Sequence, residues 1–180
     1  YLKNFVNKDE NPEISLPEDN QLSLLPSNCK SVWRNIKSFS EAQDKIFQAI
    51  QYITKKLSMK ISDIAIIVNS HEEGINLRNF IARKFKNKIR IMEIFTNFES
   101  FERKVKKRRF RINSPYLKMS TIQSFKGWEA RNVIILIPRD SKNLDIKIYT
   151  ALTRVQENLF IFNQNSRYSK FGDETFIKIE

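Results

Sequence analysis

Apolar residues recur along this chain with two distinct periods, and the alternation between the two predicts most of its elements. From about Glu41 to Leu57, Ala42, Ile46, Ala49, Ile50, Ile53 and Leu57 return every three or four residues, the spacing of a helix with one face packed on a sheet. Ser40 followed by Gln43 is a capping-box signal at its start. Ile64-Ala65-Ile66-Ile67-Val68 is instead a continuous, mostly β-branched run, which predicts a strand buried on both faces. A second helix is predicted from about Glu72 to Phe85, with Ile75, Leu77, Phe80 and Ile81 available for packing. Ser31 to Ile36 alternates as an edge strand does, Ile89 to Ile94 predicts another strand, and a helix with a basic tail is expected from Phe98 to about Arg109. Beyond it a strand leads into Thr121, and strand-like runs cover Asn132 to Ile137 and Asn158 to Phe162. Between those two runs lies a short predicted helix, about Asp145 to Val155. Strands alternating with helices imply an α/β fold: a mostly parallel, doubly wound sheet with helices on both faces. There is no internal repeat.

The amino-terminal stretch breaks this pattern. Pro12, Pro17 and Pro26 stand among Asn, Asp, Glu and Ser, which interrupts any long helix or central strand. Residues 1–30 are therefore expected to be an extended lead-in, and 31–180 one domain, since 180 residues with 41% hydrophobic content can bury a single core. The formal charge of +12 favours a polyanionic partner, either nucleic acid or an anionic membrane surface. No apolar run is long enough to cross a bilayer, and Tyr1-Leu2-Lys3-Asn4 carries no signal-peptide pattern. Nucleic acid is thus the expected partner, no membrane partner is expected, and the location is expected to be cytoplasmic, associated with the nucleoid in a bacterial cell. One cysteine, Cys29, cannot close an internal disulfide, and with one histidine, His71, it forms no metal-ligand set. The start at Tyr1, with no initiator Met, leads to the expectation of a longer parent polypeptide.

Three stretches carry candidate chemistry. In Ser120-Thr121-Ile122-Gln123-Ser124-Phe125-Lys126-Gly127-Trp128-Glu129, Thr121 and Gln123 fall where a strand ends and a turn begins, and open α/β sheets bind ligands at strand carboxyl ends. The same residues also read as a strand end followed by a polar loop. Gly127, between a cation and a carboxylate, lets the backbone approach a ligand closely, while Trp128 reads as a plug at the edge of the core. In Ile148-Tyr149-Thr150-Ala151-Leu152-Thr153-Arg154, Arg154 closes a short helix ahead of a strand, where rigid elements on both sides can hold its guanidinium. Its alternative role is to satisfy carbonyls at the helix end. Lys104-Val105-Lys106-Lys107-Arg108-Arg109-Phe110-Arg111 is dense enough in cations to neutralise several phosphates, with Phe110 and Tyr116 as rings for a base to stack on. Its alternative readings are a solvated face, which ranks below nucleic-acid contact, a contact to another domain, or a nuclear signal in a eukaryote.

The first two segments resemble motifs V and VI of superfamily 1 helicases of the UvrD/Rep type, T-(I/L)-H-(S)-x-K-G-x-E and A-(L/V)-T-R, each beside a hydrophobic strand. The resemblance in element order extends over roughly Ser31 to Ile179, but the specific motifs occupy only Thr121 to Arg154. It implies the second RecA-like (P-loop NTPase-like) domain of such a helicase, in which ATP is held against a first RecA-like domain of the same polypeptide that also holds Mg2+. On this resemblance Arg154 is the arginine finger that stabilises charge developing on the γ-phosphate, a role lysine cannot reproduce. Glu129 would accept a hydrogen bond from the ATP ribose, Gly127 would permit the turn, and Thr153 would position Arg154 or couple it to the loop at Gly127. Thr121 and Gln123, the latter in place of the family's His, would contact single-stranded DNA, or RNA in its place. Lys126, Lys104, Lys106, Lys107, Arg108 and Arg109 would face phosphate. Two features depart from a complete motor: there is no G-x-x-x-x-G-K-(S/T) phosphate loop, and no Asp-Glu pair ends a hydrophobic strand. The chain alone is therefore expected not to hydrolyse ATP. Leu2-Lys3-Asn4-Phe5-Val6-Asn7 resembles the family's motif IV, with Val6 where its arginine stands. Gln123 and Val6 favour the alternative of a non-catalytic nucleic-acid-binding or regulatory module on a helicase scaffold. A third reading, a nucleotide-binding enzyme complete in itself, is weakened by the missing phosphate loop.

Overall fold

The computed structural model describes residues 29–94, 114–139 and 144–170. The expected helix from Phe98, the basic run 104–111, the motif IV-like stretch and all but the last two residues of the lead-in lie outside the described residues. Strand β1 covers Ser31–Asn35, helix α1 Phe39–Lys55, strand β2 Ile64–Val68 and helix α2 His71–Lys84. Strands β3 (Ile91–Glu93) and β4 (Leu117–Thr121) follow, then the one-turn helix α3 (Ile122–Phe125) and strand β5 (Ala130–Ile137). Helix α4 (Leu144–Leu152) and strand β6 (Val155–Asn163) complete the sheet.

The six strands form one sheet in the order β1-β6-β5-β2-β4-β3, and every neighbouring pair is parallel. β5 and β2 hold the centre, which is why Ile64 to Val68 and Val133 to Ile137 are continuously apolar: both faces are covered there. On one face α1 and α2 bring Ile46, Ile50, Leu77 and Ile81 against Ile66, Ile134 and Phe160. On the other, α3 and α4 bring Phe125, Ile148 and Ala151 against Ile67, Val133 and Ile135. Each large aliphatic side chain so buried contributes roughly 1.5–3 kcal/mol, and this layered burial sets the architecture.

Several local expectations shift. The expected cap of α1 at Ser40 moves to Ser38, whose hydroxyl accepts the Glu41 N–H at 3.2 Å, while the Glu41 carboxylate accepts the Lys37 N–H at 2.8 Å. An earlier start lets Phe39 pack on the core. Helix α2 has the reciprocal box between Ser70 and Glu73. Ile75, expected to pack, is instead 38% exposed, because α2 faces the sheet through Leu77 and Ile81. β3 is shorter than the expected Ile89 to Ile94, although bonds between Arg90 and Leu117 and between Ile94 and Met119 flank it; Lys86 and Asn87, with positive φ (51° and 56°), form the turn before it. Helix α4 ends at Leu152, so Arg154 follows it in a turn and does not lie within it.

Buried polar side chains fasten the amino ends of the strands. Asn158 donates to Asn132 Oδ1 at 2.7 Å, Asn132 donates to the Asp63 carbonyl at 3.2 Å, and Asn158 Oδ1 accepts the Lys30 N–H at 2.9 Å. This chain of partners satisfies groups that would otherwise be costly to bury. Lys118 in β4 is also buried and donates to the Ser62 carbonyl, and loss of water around its ammonium lowers its pKa, an effect that Asp63 partly opposes.

Candidate functional site

The segment after β4 folds according to its side chains. Thr121 is buried, and its hydroxyl accepts the Ser124 N–H at 3.3 Å to start α3. Gln123 lies exposed on that single turn. The chain then reverses through a type II turn: Lys126 has φ −55° and ψ 125°, Gly127 has φ 88°, and the Trp128 N–H donates to the Phe125 carbonyl at 3.0 Å. The third position of that turn requires positive φ, so the Lys-Gly pair owes its glycine to the backbone. An added Cβ would meet nothing within 4 Å. Gly127→Ala is therefore expected to cost about 1–2 kcal/mol through conformation alone, and Gly127→Asn less, as read by denaturant unfolding; an unchanged midpoint for alanine would show that the turn is not held in this form. Lys126 is exposed, and Trp128 packs half-buried against the cluster containing Phe125, as expected from sequence.

The turn delivers Glu129 to the amino end of β5, beside the amino end of β6. There the Ala130 N–H donates to the Arg154 carbonyl at 3.1 Å, and Gln156 Nε2 donates to Glu129 Oε2 at 2.9 Å. Glu129 and Arg154, 25 positions apart in sequence (154 − 129), thus lie on neighbouring strand entrances. Arg154 is half-buried, and its Nε is buried with no hydrogen-bond partner. Thr153 is exposed and its hydroxyl donates to the Thr150 carbonyl at 3.0 Å, which fastens the helix end from which Arg154 departs. Arg131 pairs with Glu157 at 2.6 Å and Asp63 at 3.4 Å; the hydrogen bond to Glu157 is the main reason that its pKa is raised.

The candidates do not all meet. Thr121 pairs with Val68, and Ile67 pairs with Ile135, so Thr121 is level with Leu136. Six residues of strand, about 20 Å at ~3.3 Å per residue, separate that level from Ala130. Gly127, Glu129, Thr153 and Arg154 therefore gather at the amino edge of the sheet, and Thr121 at the opposite, carboxyl edge. The carboxyl-end argument fits Thr121 and Gln123 but not the other four. Sequence reasoning missed Gln156, whose contact with Glu129 arises only from the pairing of β6 with β5 and left no local signal. Among the described residues no group of three or more His, Cys, Asp or Glu is gathered, and no helix is long and apolar enough to cross a membrane.

No protein-family profile and no curated protein sequence matches the chain. Solved structures do. The C-terminal domain of a possible DNA helicase from Lactobacillus plantarum WCFS1 superposes with TM-score 0.53 at 15% identity, covering 78% of this chain and 76% of that one. Domain 2 of the DEAD-box helicase Mss116p, bound to an RNA duplex, gives 0.54 at 18% identity, over 83% of this chain and 61% of that one. The C-terminal part of the Fun30 ATPase domain gives 0.52 at 13% identity, over 76% and 46%. The chain has the RecA-like fold that these C-terminal helicase and ATPase domains share, a six-stranded parallel sheet with helices on both faces. It spans less than two thirds of the length of two of these three chains.

Proposed function

We propose that this chain is the second motor domain, residues 31–180 after a lead-in of 1–30, of an ATP-dependent superfamily 1 DNA helicase or translocase of the UvrD type. The observation that carries the reading is the pairing of the two motif-like segments at one sheet edge: the Ala130 N–H bonds the Arg154 carbonyl, Glu129 stands alongside, and Arg154 Nε is buried without a partner. A guanidinium with one buried, unused donor is suited to an incoming anion. Glu129 would take the ribose of ATP, the turn at Gly127 would let the backbone come close, and Arg154 would reach the γ-phosphate.

The adenine nucleotide would sit between this edge and a first RecA-like domain of the same polypeptide, whose phosphate loop and carboxylates would hold the triphosphate and Mg2+. Single-stranded DNA, or RNA in its place, would run along the carboxyl edge past Thr121 and Gln123, with the cations Lys104, Lys106, Lys107, Arg108 and Arg109 as phosphate contacts; Lys126, beside Gly127 at the amino edge, would support the turn instead. The net charge of +12 supports a polyanionic partner. Because Thr121 is buried and its hydroxyl is engaged at 3.3 Å, it would shape the strand end while exposed Gln123 touches the backbone.

The test is ATP hydrolysis by the longest native polypeptide containing this chain, with and without single-stranded DNA and RNA oligonucleotides. Stimulation by DNA above RNA is expected. Strand binding without any hydrolysis would instead support the non-catalytic module, for which Gln123 is the favouring residue.

A further inference from the structure

β5 and β6 do not pair regularly where the site forms. Ala130 is opposite Val155, but Asn132 is opposite Asn158, so β6 uses three residues where β5 uses two. The surplus is a β-bulge at Gln156 and Glu157, opposite Arg131. In a regular strand two consecutive side chains would point to opposite faces. A bulge places both against one partner strand and re-aims them, and such bulges concentrate beside functional sites. Here Gln156 Nε2 reaches Glu129 Oε2 at 2.9 Å, and Glu157 Oε1 reaches Arg131 Nε at 2.6 Å. Glu129 and Arg131 are two residues apart on β5 and its entrance, so two successive residues of β6 take hold of two alternate residues of its neighbour. The bulge begins two residues after Arg154, where the chain enters β6.

The chemistry of the Gln156 contact is selective. A carboxylate has about four acceptor positions, and the amide occupies one. A neutral amide orients the carboxylate without compensating its charge, whereas a lysine or arginine at 156 would pair with it. Glu129 is otherwise exposed on the short segment after the Gly127 turn, where its side chain would sample several rotamers.

We infer that Gln156 is a positioning residue for recognition of the nucleotide sugar: through the bulge it fixes the Glu129 carboxylate so that the remaining acceptors meet the ribose hydroxyls and discriminate against sugars lacking them. This rests on the proposed reading of Glu129 as a ribose contact. Its test uses the longest native polypeptide containing this chain and compares kcat/KM for ATP with that for 2′,3′-dideoxy-ATP. The unmodified protein is expected to prefer ATP by about tenfold or more, the scale of a hydrogen bond to a charged acceptor. Gln156→Ala should reduce the preference severalfold, with the change carried mainly by KM. Gln156→Glu should reduce it further, because like charges placed opposite each other across strands repel. Glu129→Ala serves as the reference and should abolish the preference.

If Glu129→Ala abolishes the preference while both Gln156 variants keep it, the role of Gln156 is overturned and the reading of Glu129 stands. If Glu129→Ala itself leaves the preference in place, the reading of Glu129 falls and this inference with it, as it also does if the polypeptide binds no ATP. A loss of preference that tracks a fall in melting temperature, and not the substitution, would mark Gln156 as structural only and overturn the proposal.

Discussion

Arg154→Ala is expected to lower nucleic-acid-stimulated ATP hydrolysis by about 10³-fold or more, the scale of a lost arginine finger, equivalent to about 4 kcal/mol of transition-state stabilisation. The expectation rests on the proposed role of Arg154 and on how it is held. Its backbone carbonyl is fixed by the Ala130 N–H at 3.1 Å, the helix before it is fastened by Thr153 at 3.0 Å, and its buried Nε has no partner. On the proposed reading, a group held by its main chain yet with an unused buried donor would be open to a ligand and would contribute little to folding. Arg154→Lys should not restore the rate, because an ammonium lacks the planar fork. Unfolding of the alanine variant discriminates further. Removing a structural arginine would cost about 1–3 kcal/mol by leaving buried partners unsatisfied, whereas here the midpoint should hardly move. A large drop in stability with an unchanged rate would remove Arg154 from the site. If neither protein hydrolyses ATP while both bind single strands, the non-catalytic module is the better reading.

Ile134→Ala should have the largest effect on stability. Ile134 is fully buried at the centre of the sheet, paired laterally with Ile66 on β2 and Phe160 on β6, beneath α1 and α2. Truncating a buried isoleucine removes apolar contact and leaves a cavity that a central strand cannot collapse to fill, at a cost of about 2–5 kcal/mol. For a domain of this size that lowers the melting temperature by on the order of 10 °C. Ile75→Ala, at a residue of the same type that is 38% exposed, should stay within about 0.5 kcal/mol. Thermal unfolding of the two variants side by side tests the assignment of faces, and comparable losses from both would contradict it.

How legible each part was depended on whether its cause was local. Ile64 to Val68 and Ile134 to Ile137 announced central strands because burial on both faces leaves no polar alternation. The start of α1 was expected at Ser40 from its spacing to Gln43, but the cap is Ser38, whose hydroxyl accepts the Glu41 N–H while Phe39 packs on the core. Lys126-Gly127 pointed to a turn, and the backbone angles there are those of a turn that requires glycine. Gln156 carried no comparable mark, since its contact with Glu129 exists only through a bulge in β6 that depends on the register with β5. Lys118 and the paired Asn132 and Asn158 were equally hidden: polar residues in apolar strands are acceptable only when partners from distant segments meet them, as Ser62, Asp63 and Lys30 do.

Most element types among the described residues, the two-sided apolar layering and the chemical identity of the Lys-Gly-Trp-Glu and Thr-Arg segments were written in the linear chain, because periodicity and side-chain chemistry report on each residue's immediate surroundings; the single turn of helix α3, expected as a polar loop, was not. Strand order and edge assignment were not, because they arise from packing between segments far apart in sequence. Thr121 and Glu129 are eight residues apart in the chain (129 − 121), yet crossing the sheet sends them to opposite edges; Glu129 and Arg154 are 25 apart (154 − 129), yet parallel pairing of β5 with β6 makes them neighbours.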